Sequence, residues 1–540
     1  MKRVSFAFFI GSLVIILSLL PFVVSLVLPV RSDRVNLYWD NWLYDFNYYL
    51  SVVRQGMNGR LSVIDKYTTE NQSGKFLRIG YLALGHAAKT FHVSPTASYH
   101  AARIILGIIF IFCMYRFISA AFVQQIMIIP LVFFLALYTA GYPGVVCTPG
   151  CHLVPRLWSI TQLDPIRRVT FVPHFLWGQI AFLSVLIIFI SKKRSLFLLV
   201  AASILLGMAG LDHPPSLLFI FPTLLLTVVF LFLKKKLTKN DLMKSSLVFI
   251  VTLPFVYYLF SSTKGLPWSL TRNASYPINT DFISFCLALG PTFLVGLVYA
   301  LLQFFSKEKI PTAVLVCASW ILLTVLLTFG MRFPSAYAQT RFLQIDPRIP
   351  SAVLTGYLLS VIFKKISHLW QQKQFFLKYL LVFVLFLPTL PTLYLLYYDQ
   401  FDYAVYFSKN YLSTIPYPPY VDYPPKDWMQ GFSWLRDNSR AEDIVLSDFT
   451  AGNFIPAYAG NTVYYGHGVE TNNPQGKKDN VVKFFSSDNT DEQKGFLLSS
   501  RIRYVFYGPQ EKSYRTNELR VPNLTIVYQN PLVTIYRFNL

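Results

Sequence analysis

Long apolar runs recur along this chain as far as about residue 398, and short polar or charged turns separate them. A helix needs about 20 mostly apolar residues to cross the hydrocarbon core of a bilayer. The pattern therefore predicts about eleven spanning helices, a count good to about one because two of the runs are short. The predicted spans are 5–30, 101–120, 123–142, 171–190, 195–211, 215–233, 245–261, 281–305, 312–331, 349–363 and 377–398.

Two shorter amphipathic segments lie in the loop after the first span, residues 31–100. In 43–58, and again in 73–91, apolar side chains recur at three- and four-residue steps, which places them on one face of a helix. Helices of this length cannot span a bilayer, so we expect them to lie along the outer membrane surface. The apolar positions are Phe46, Tyr49, Leu50, Val53 and Met57, then Ile79, Leu82 and Ala83 beside His86; Trp39 and Trp42 are expected at headgroup level, and Gly59 at the helix end.

The pattern changes after the last apolar run. Residues 1–400 are the predicted transmembrane domain, 401–430 are a Pro/Tyr-rich linker, and polar, mixed sequence fills 431–540. Alternating short strands and helices in this last part predict a small soluble α/β domain. The expected strands are 443–448, 462–466, 502–508, 524–529 and 533–538, and the expected helices are 450–460, 478–485 and 492–501.

Composition agrees with this division. The 540 residues are 54% hydrophobic and only 14% charged, so a soluble fold would expose far too much apolar surface. The predicted fold class is predominantly α: a polytopic transmembrane helix bundle with interfacial helices in the first outer loop and the small C-terminal domain. Five cysteines are too few for a disulfide scaffold. Cys147 and Cys151 flank a short loop and are expected to pair if that loop faces an oxidising compartment, or otherwise to stay free.

The formal net charge of +22 does not indicate nucleic-acid binding, because the excess Lys and Arg lie at the ends of apolar runs, where topology and anionic lipids call for them. Lysine-rich turns alternate along the chain and are expected to be cytoplasmic. This predicts a multi-pass protein of the cytoplasmic membrane with an uncleaved first span, a cytoplasmic N-terminus and an extracytoplasmic C-terminal domain. The basic turns hold residues 2–3, 116, 192–194, 234–244, 307–309 and 364–373.

An aspartate, Asp45, stands near the start of the first amphipathic segment, five residues after Asp40. A carboxylate at the outer membrane boundary is suited to take a proton from a hydroxyl. The simpler alternative is an acidic residue favoured by the helix macrodipole. The outer loops also carry arginines, which either hold phosphate at two points or merely solvate the loops. These are Arg54, Arg78, Arg103, Arg156, Arg167, Arg168, Arg332, Arg341 and Arg348.

The first loop, "DFNYYLSVVRQGMNGRL" at 45–61, resembles that of the glycosyltransferase-C (GT-C) superfamily of polyprenyl-phosphate-sugar-dependent transferases, in a mostly uncharacterised bacterial branch. Similar pieces follow in order at 172–175, 211–215, 339–350 and 454–471. The chain lacks the tight Asp-x-Asp or Asp-Glu pair of some members, which puts metal dependence in doubt. The matching residues are Asp45, Tyr49, Leu50, Ser51, Arg54, Gln55, Gly56 and Gly59.

The resemblance implies inverting transfer of a sugar from a polyprenyl-phosphate donor to a glycan, lipid or protein acceptor outside the cytoplasmic membrane. Such a transfer needs a base near the acceptor and positive charge near the departing phosphate. We expect Asp45 to be the base or to hold the acceptor, with Asp40 in reserve, and Arg341 to hold the phosphate. Further candidates for binding the phosphate or the sugar are His213, Arg54, Arg332, Arg348 and His174, with Arg156, Arg167 and Arg168 as alternatives.

The sequence leaves alternatives open for the roles of three histidines and for the binding of a metal ion. His213 and His174 either donate hydrogen bonds to the substrate or only cap and pack helix ends. His467, in the tail, either helps recognise the acceptor or is a loop histidine without a partner. No cofactor is required by the pattern; a divalent metal ion is possible, with Asp212 beside Asp45 as ligands if the fold brings them together.

Two other functions compete with transfer. A non-catalytic carrier or flippase of a lipid-linked saccharide would also be polytopic, but carriers usually place charges inside their spans, whereas here the charges lie at span ends. A sensor or scaffold whose tail binds a cell-wall partner would need far fewer spans. The sequence therefore favours the transferase.

Overall fold

The structure is a computed structural model. It describes residues 2–40, 43–123, 125–147, 150–156, 164–191, 195–270, 281–306, 308, 310–330, 339–366, 374–398, 401, 423–515 and 518–539. The chain forms two compact units. The first contains Met1–Pro21, Ala102–Leu259 and Ser275–Asp402, and the second contains Phe22–Ala101, Phe260–Ala274 and Tyr403–Leu540.

Helices account for most of the described chain. As far as Phe386 they are α1 Lys2–Val27, α2 Leu43–Met57, α3 Ile79–Thr90, α4 Pro95–Ala121, α5 Ile129–Tyr138, α6 Pro173–Ile190, α7 Leu196–Asp212, α8 Pro214–Leu233, α9 Lys239–Ser262, α10 Phe282–Leu289, α11 Pro291–Phe305, α12 Thr312–Val325, α13 Arg348–Ile366 and α14 Gln374–Phe386. Those of the tail are α15 Lys426–Asn438, α16 Phe449–Tyr458, α17 Pro474–Ser486, α18 Thr490–Ser499 and α19 Pro509–Tyr514.

Every predicted span coincides with helical segments of the structure. Among the described residues, seven helices are long and apolar enough to cross a membrane, and α10 with α11 adds an eighth if a pair bent by 114° is one span. The bend falls at Gly290, whose φ of 88° an L side chain rarely adopts. The segments Ile126–Tyr138 and Leu196–Asp212 are apolar but shorter. With the bent pair and these two segments the described helices reach ten spans. The remaining predicted span, 349–363, falls on α13, so the predicted total of about eleven is reached only if α13 also crosses.

The core of the first unit is apolar throughout its helices. The spans Pro173–Ile190 and Thr312–Phe329 are 72% buried, whereas Leu380–Tyr398 is only 17% buried, so the first two are central and the last is peripheral in this unit. Trp320 in α12 is fully buried and donates a hydrogen bond from Nε1 to the Ile345 carbonyl (3.3 Å). This contact holds the chain just after a short 3₁₀ helix, Gln339–Gln344.

A small hairpin also belongs to the first unit. Strands β1, Pro143–Cys147, and β2, Cys151–Pro155, pair antiparallel, and a disulfide bond joins Cys147 to Cys151 at the turn. The structure thus selects the paired form of the two alternatives that the sequence leaves open.

A five-stranded mixed sheet lies in the second unit, in the order β4-β3-β5-β7-β6. Strand β3 runs parallel to β4 and β5, while β7 runs antiparallel to β5 and β6. All five strands fall where the sequence predicts them, and α16, α17 and α18 fall on the three predicted helices. The strands are β3 Ile444–Leu446, β4 Thr462–Val463, β5 Ile502–Tyr507, β6 Leu524–Gln529 and β7 Thr534–Phe538.

The first outer loop belongs to this same compact unit, a grouping that the sequence does not indicate. Helices α2 and α3 stand where the two amphipathic segments predict them, and Gly59 has the positive φ expected after the helix end. Helix α2 packs against both α3 and α16. Its buried residues include polar Asn47, Ser51 and Gln55 as well as the apolar stripe, so protein covers more of it than a single membrane-facing stripe requires. The predicted boundaries at residues 400 and 430 stay predictions, although α15 already begins at Lys426.

Candidate functional site

Asp45 lies in the first turn of α2, in the second unit. Its side chain is 44% exposed, so the carboxylate is accessible to a substrate. The first turn of a helix has amide groups without intrahelical partners and the positive end of the macrodipole, and both favour a carboxylate there. The structure thus satisfies the simple helix-end explanation and leaves the carboxylate open for chemistry as well.

His467 is a polar side chain close to Asp45. Its Nε2 atom lies 3.5 Å from Asp45 Oδ1, and its side chain is only 6% exposed. Nε2 has no hydrogen-bond partner among the described residues, whereas Nδ1 accepts from two backbone amides. The expectation of a loop histidine without a partner is therefore wrong for Nδ1 only.

The loop around His467 fixes the orientation of its ring. The backbone amides of Val469 and Glu470 both donate to Nδ1, each at 3.1 Å. The Thr471 hydroxyl accepts from the His467 amide (3.0 Å) and donates to the Tyr67 carbonyl (2.8 Å). Because Nδ1 accepts, the proton of the neutral ring is on Nε2, the atom that faces Asp45.

Aromatic and amide side chains surround this pair. The rings of Tyr67 and Tyr48 lie 5.4 and 6.0 Å from the His467 ring, centroid to centroid. On α2, Asn47 donates to the Asn453 side chain (2.8 Å), and Tyr67 donates to the Asn453 carbonyl (3.0 Å). Burial raises the pKa of both tyrosine hydroxyls well above the usual value, so they stay neutral donors.

A buried carboxyl lies behind the same loop. Asp65 is 2% exposed and accepts a hydrogen bond from the Tyr67 amide (2.9 Å). Burial, and then the nearby Glu470, raise the pKa of Asp65 well above its usual range. This group is too enclosed to meet a substrate, so its described contacts are structural.

Arg54 occupies the other end of α2, nine residues and about 13 Å along the helix from Asp45. Its Nε donates to the Ala457 carbonyl (2.6 Å) in the last turn of α16, where a cation is favoured by the helix dipole. Burial, and then Arg436, lower its pKa to about 10. These contacts dock α16 onto α2. Asp40, the reserve acid, is 8% exposed in the same unit and hence far less accessible than Asp45.

In the first unit, one contact joins the candidate His213 to the 3₁₀ helix that carries Arg341. His213 caps α7 and precedes α8, and its Nε2 lies 3.1 Å from Gln344 Oε1. Arg341 stands three residues before Gln344 in the 3₁₀ helix, and residues at that spacing share one face. Both are partly exposed while Phe342 and Leu343 between them are buried, so Arg341 is on the His213 side of this helix.

His174 lies in the same neighbourhood. Its ring centroid is 6.0 Å from that of His213, and both rings contact Phe175. Gly178 leaves room for His213, since a Cβ there would lie 2.4 Å from Nδ1. The structure thus brings together two of the predicted residues of this unit, His213 and His174, and places Arg341 one 3₁₀ turn before Gln344, which contacts His213.

Arg348 has a different environment. It is 1% exposed, and its Nε lies 3.2 Å from Asp346 Oδ1. Asp346 also forms an ion pair with Arg168, which donates a further hydrogen bond to the Ala136 carbonyl. All three side chains are almost fully buried, so this cluster links α13 to the segment before α6 and is enclosed by protein.

Arg332 and Trp42 lie outside the described residues. Within the described ranges, no three His, Cys, Asp or Glu side chains gather closely enough to hold a metal ion.

The sequence did not predict that His467 lies beside Asp45. The only signal was its place in "YYGHGVE", within the tail segment that resembles GT-C members. Local pattern could not reveal that Thr471 and two amides would orient its ring towards α2.

Comparisons with known proteins identify solved structures that share the fold of this chain. No family model matches the chain, and no curated protein matches its sequence. Solved structures do match. The oligosaccharyltransferase AglB from Archaeoglobus fulgidus, in complex with an inhibitory peptide and a dolichol-phosphate, aligns with a TM-score of 0.56 at 14% identity over 93% of this chain and 69% of its own.

Two further structures extend the likeness. ArnT from Cupriavidus metallidurans, bound to undecaprenyl phosphate, aligns with a TM-score of 0.50 at 10% identity over 97% of both chains. The arabinofuranosyltransferase AftD from Mycobacteria aligns with a TM-score of 0.55 at 11% identity over 99% of this chain, which spans 41% of its length. With the seven apolar helices, these matches make the chain a multi-pass membrane protein. The expected fold class is confirmed: the chain has the GT-C fold of membrane glycosyltransferases.

Proposed function

We propose that this protein is an integral membrane glycosyltransferase that takes its sugar from a polyprenyl-phosphate-linked donor. The observation that carries the proposal is the fold, which agrees over 93–99% of the chain with three membrane glycosyltransferases. Two of these were solved with a polyprenyl phosphate bound. The acceptor is a glycan, lipid or protein on the outer side of the cytoplasmic membrane.

The proposed reaction is a single displacement at the anomeric carbon. The acceptor oxygen attacks C1 as the bond from C1 to the phosphate oxygen breaks, and the polyprenyl phosphate leaves with that electron pair. The acceptor proton passes to a carboxylate base. A single displacement inverts the configuration at C1.

Asp45 is the proposed base. Its support is accessibility, since its carboxylate is 44% exposed whereas that of Asp40 belongs to a buried residue. Positioned general bases typically contribute about 10²–10⁴-fold to a rate. Asp40 is the reserve.

Arg341 is the proposed partner of the donor phosphate. Support comes from its partly exposed position on the same face of the 3₁₀ helix as Gln344, which contacts His213. A guanidinium can hold a phosphate at two points, and a histidine can add a hydrogen bond as negative charge grows. Arg348 and Arg54 are less suited because buried acidic or backbone partners already engage them.

The test is sugar transfer by the purified full chain in liposomes, with a panel of labelled polyprenyl-phosphate sugars and extracted envelope acceptors. We expect transfer from at least one donor and a loss of about 100-fold or more in Asp45→Asn. Asp488→Asn is the matched control, because Asp488 is 90% exposed in the same unit. Equal turnover by the parent and Asp45→Asn would remove Asp45 from this role. Transport without transfer would instead identify a carrier.

A further inference from the structure

We infer that His467 is a positioning residue for the proposed base, donating from Nε2 to one oxygen of Asp45 so that the other oxygen faces the acceptor. The inference rests on the proposed function for its catalytic consequence. It does not rest on it for the contact itself, which brings Nε2 within 3.5 Å of Asp45 Oδ1.

The loop around His467 favours one tautomer of the His467 ring. Nδ1 accepts two amide hydrogen bonds at 3.1 Å, so the ring can present only an N–H at Nε2. A histidine placed merely to fill space does not need both amides aimed at one nitrogen. Hydrogen bonds to catalytic groups are commonly long before the substrate binds and shorten in the reacting complex.

The rest of the unit makes the ring rigid relative to α2. Thr471 ties the loop to the Tyr67 carbonyl, and Lys477 pairs with Glu70 (3.0 Å) just beyond. Lys66 donates to the Ala441 carbonyl (2.6 Å), and its own carbonyl accepts from Val463. The C-terminal residues therefore form a fixed support for Asp45.

Orientation matters because the carboxylate is otherwise half exposed and able to rotate. A hydrogen bond to Oδ1 leaves Oδ2 with its lone pairs available to the acceptor hydroxyl. Misplacing a reacting group by about 1 Å can cost on the order of 100-fold in rate. The titratable side chains near the pair include Tyr48 and Tyr67, whose rings contact the His467 ring, and Arg78, which hydrogen-bonds to Tyr48.

Two substitutions separate positioning from folding. In His467→Asn the amide oxygen can replace Nδ1 as the acceptor for the loop amides, but the donor to Asp45 is lost. In His467→Gln the amide N–H can reach towards Asp45, but the loop acceptor is lost. A positioning role predicts that Asn loses about 10- to 100-fold in kcat with near-parent thermal stability. It also predicts that Gln keeps more activity with lower stability.

A purely structural role predicts the opposite order, and that order would overturn the inference. His86→Gln is the matched control, since His86 lies in the same unit and its Nε2 contacts the Arg60 carbonyl (2.9 Å). We expect parent activity from it.

A readout independent of turnover is the NMR spectrum of the purified full chain with isotope-labelled histidine. The pairing predicts that the Nε2 signal of His467 differs between the parent and Asp45→Ala, because the substitution removes the facing oxygen, whereas Asp488→Asn leaves the signal unchanged. An Nε2 signal that is the same in the parent and in Asp45→Ala would overturn the pairing even if transfer is observed. Absence of transfer in the parent would overturn the proposed function while the spectrum still decides the pairing.

Discussion

Gly56 and Gly85 meet where α2 crosses α3, so closely that a Cβ built on Gly56 would lie 2.1 Å from the Leu82 carbonyl oxygen and 2.9 Å from Gly85 Cα. The obstructing atoms belong to the backbone and cannot rotate away. This crossing sets the position of the helix whose first turn carries Asp45.

We therefore expect Gly56→Ala to destabilise the second unit by about 1–3 kcal/mol, since an added methyl must force the two helices apart. Thermal unfolding of the purified protein measures the effect. Gly495→Ala is the control, because Gly495 lies within α18 with open space around it. Alanine there should be neutral or stabilise by about 0.5–1 kcal/mol. Equal effects of the two substitutions would contradict the close crossing.

Arg341 gives a prediction about the donor. If its guanidinium holds the leaving phosphate at two points, Arg341→Gln should lower kcat by about 10²–10³-fold. Arg341→Lys should recover only part of that loss, because an ammonium lacks the planar fork. Initial rates with the best polyprenyl-phosphate sugar provide the measurement. Arg537→Gln, exposed on β7, is the control and should match the parent; full activity of Arg341→Gln would assign phosphate binding elsewhere.

Asp346 gives a prediction about stability. It neutralises Arg168 and Arg348 in a buried cluster, so Asp346→Asn leaves two buried guanidinium groups with less counter-charge. Breaking a buried ion pair from one side costs about 3–5 kcal/mol. Lower yield and a lower melting temperature are expected. Asp488→Asn removes an exposed pair with Arg515 instead and should cost less than about 1 kcal/mol.

Glu511 gives a pH dependence. It is fully buried, and it accepts from the Asp448 amide (2.6 Å) and the Gly508 amide (3.0 Å). Burial, and then the nearby Asp448, raise its pKa from 4.5 to about 8. Between these values the unfolded chain releases the proton that the folded chain keeps, so the contribution of Glu511 to stability is complete below 4.5 and is lost as the pH rises to about 8.

Subtracting the free energy of unfolding of Glu511→Gln from that of the parent isolates this contribution, because glutamine does not titrate. The difference should fall as the pH rises from about 4.5 to about 8 and then level off. Chemical denaturation at a series of pH values measures it. The exposed Glu492 supplies the control, Glu492→Gln, for which the difference should stay nearly flat. A difference that rises with pH would mean that Glu511 is ionised in the folded protein.

Sequence predicts the local elements of this fold better than the contacts between residues that are far apart in the chain. The spans, α2, α3 and the five strands follow from local periodicity, which reports the face that a segment buries. Periodicity does not show which other segment of the chain that face contacts. Nothing in the pattern distinguishes Arg348, enclosed with Asp346, from Arg341, which is partly exposed, because both are arginines near the start of one predicted span.

The same limit explains His467. Its link to Asp45 joins residues more than 400 positions apart, and only the folded second unit brings them together. The contact that docks Arg54 onto the end of α16 is of the same kind. Local pattern places a carboxylate in the first turn of α2, but it does not show which distant loop lies beside that carboxylate.

The distance along the chain between α2 and its supports has a consequence for biosynthesis. Asn47 finds its partner in Asn453 across 406 positions, so the ribosome releases the first loop long before the segment that covers it exists. During most of translation, the face of α2 that packs against α16 in the folded protein has no partner. A chain that stops before Asn453 therefore cannot form this part of the surroundings of Asp45.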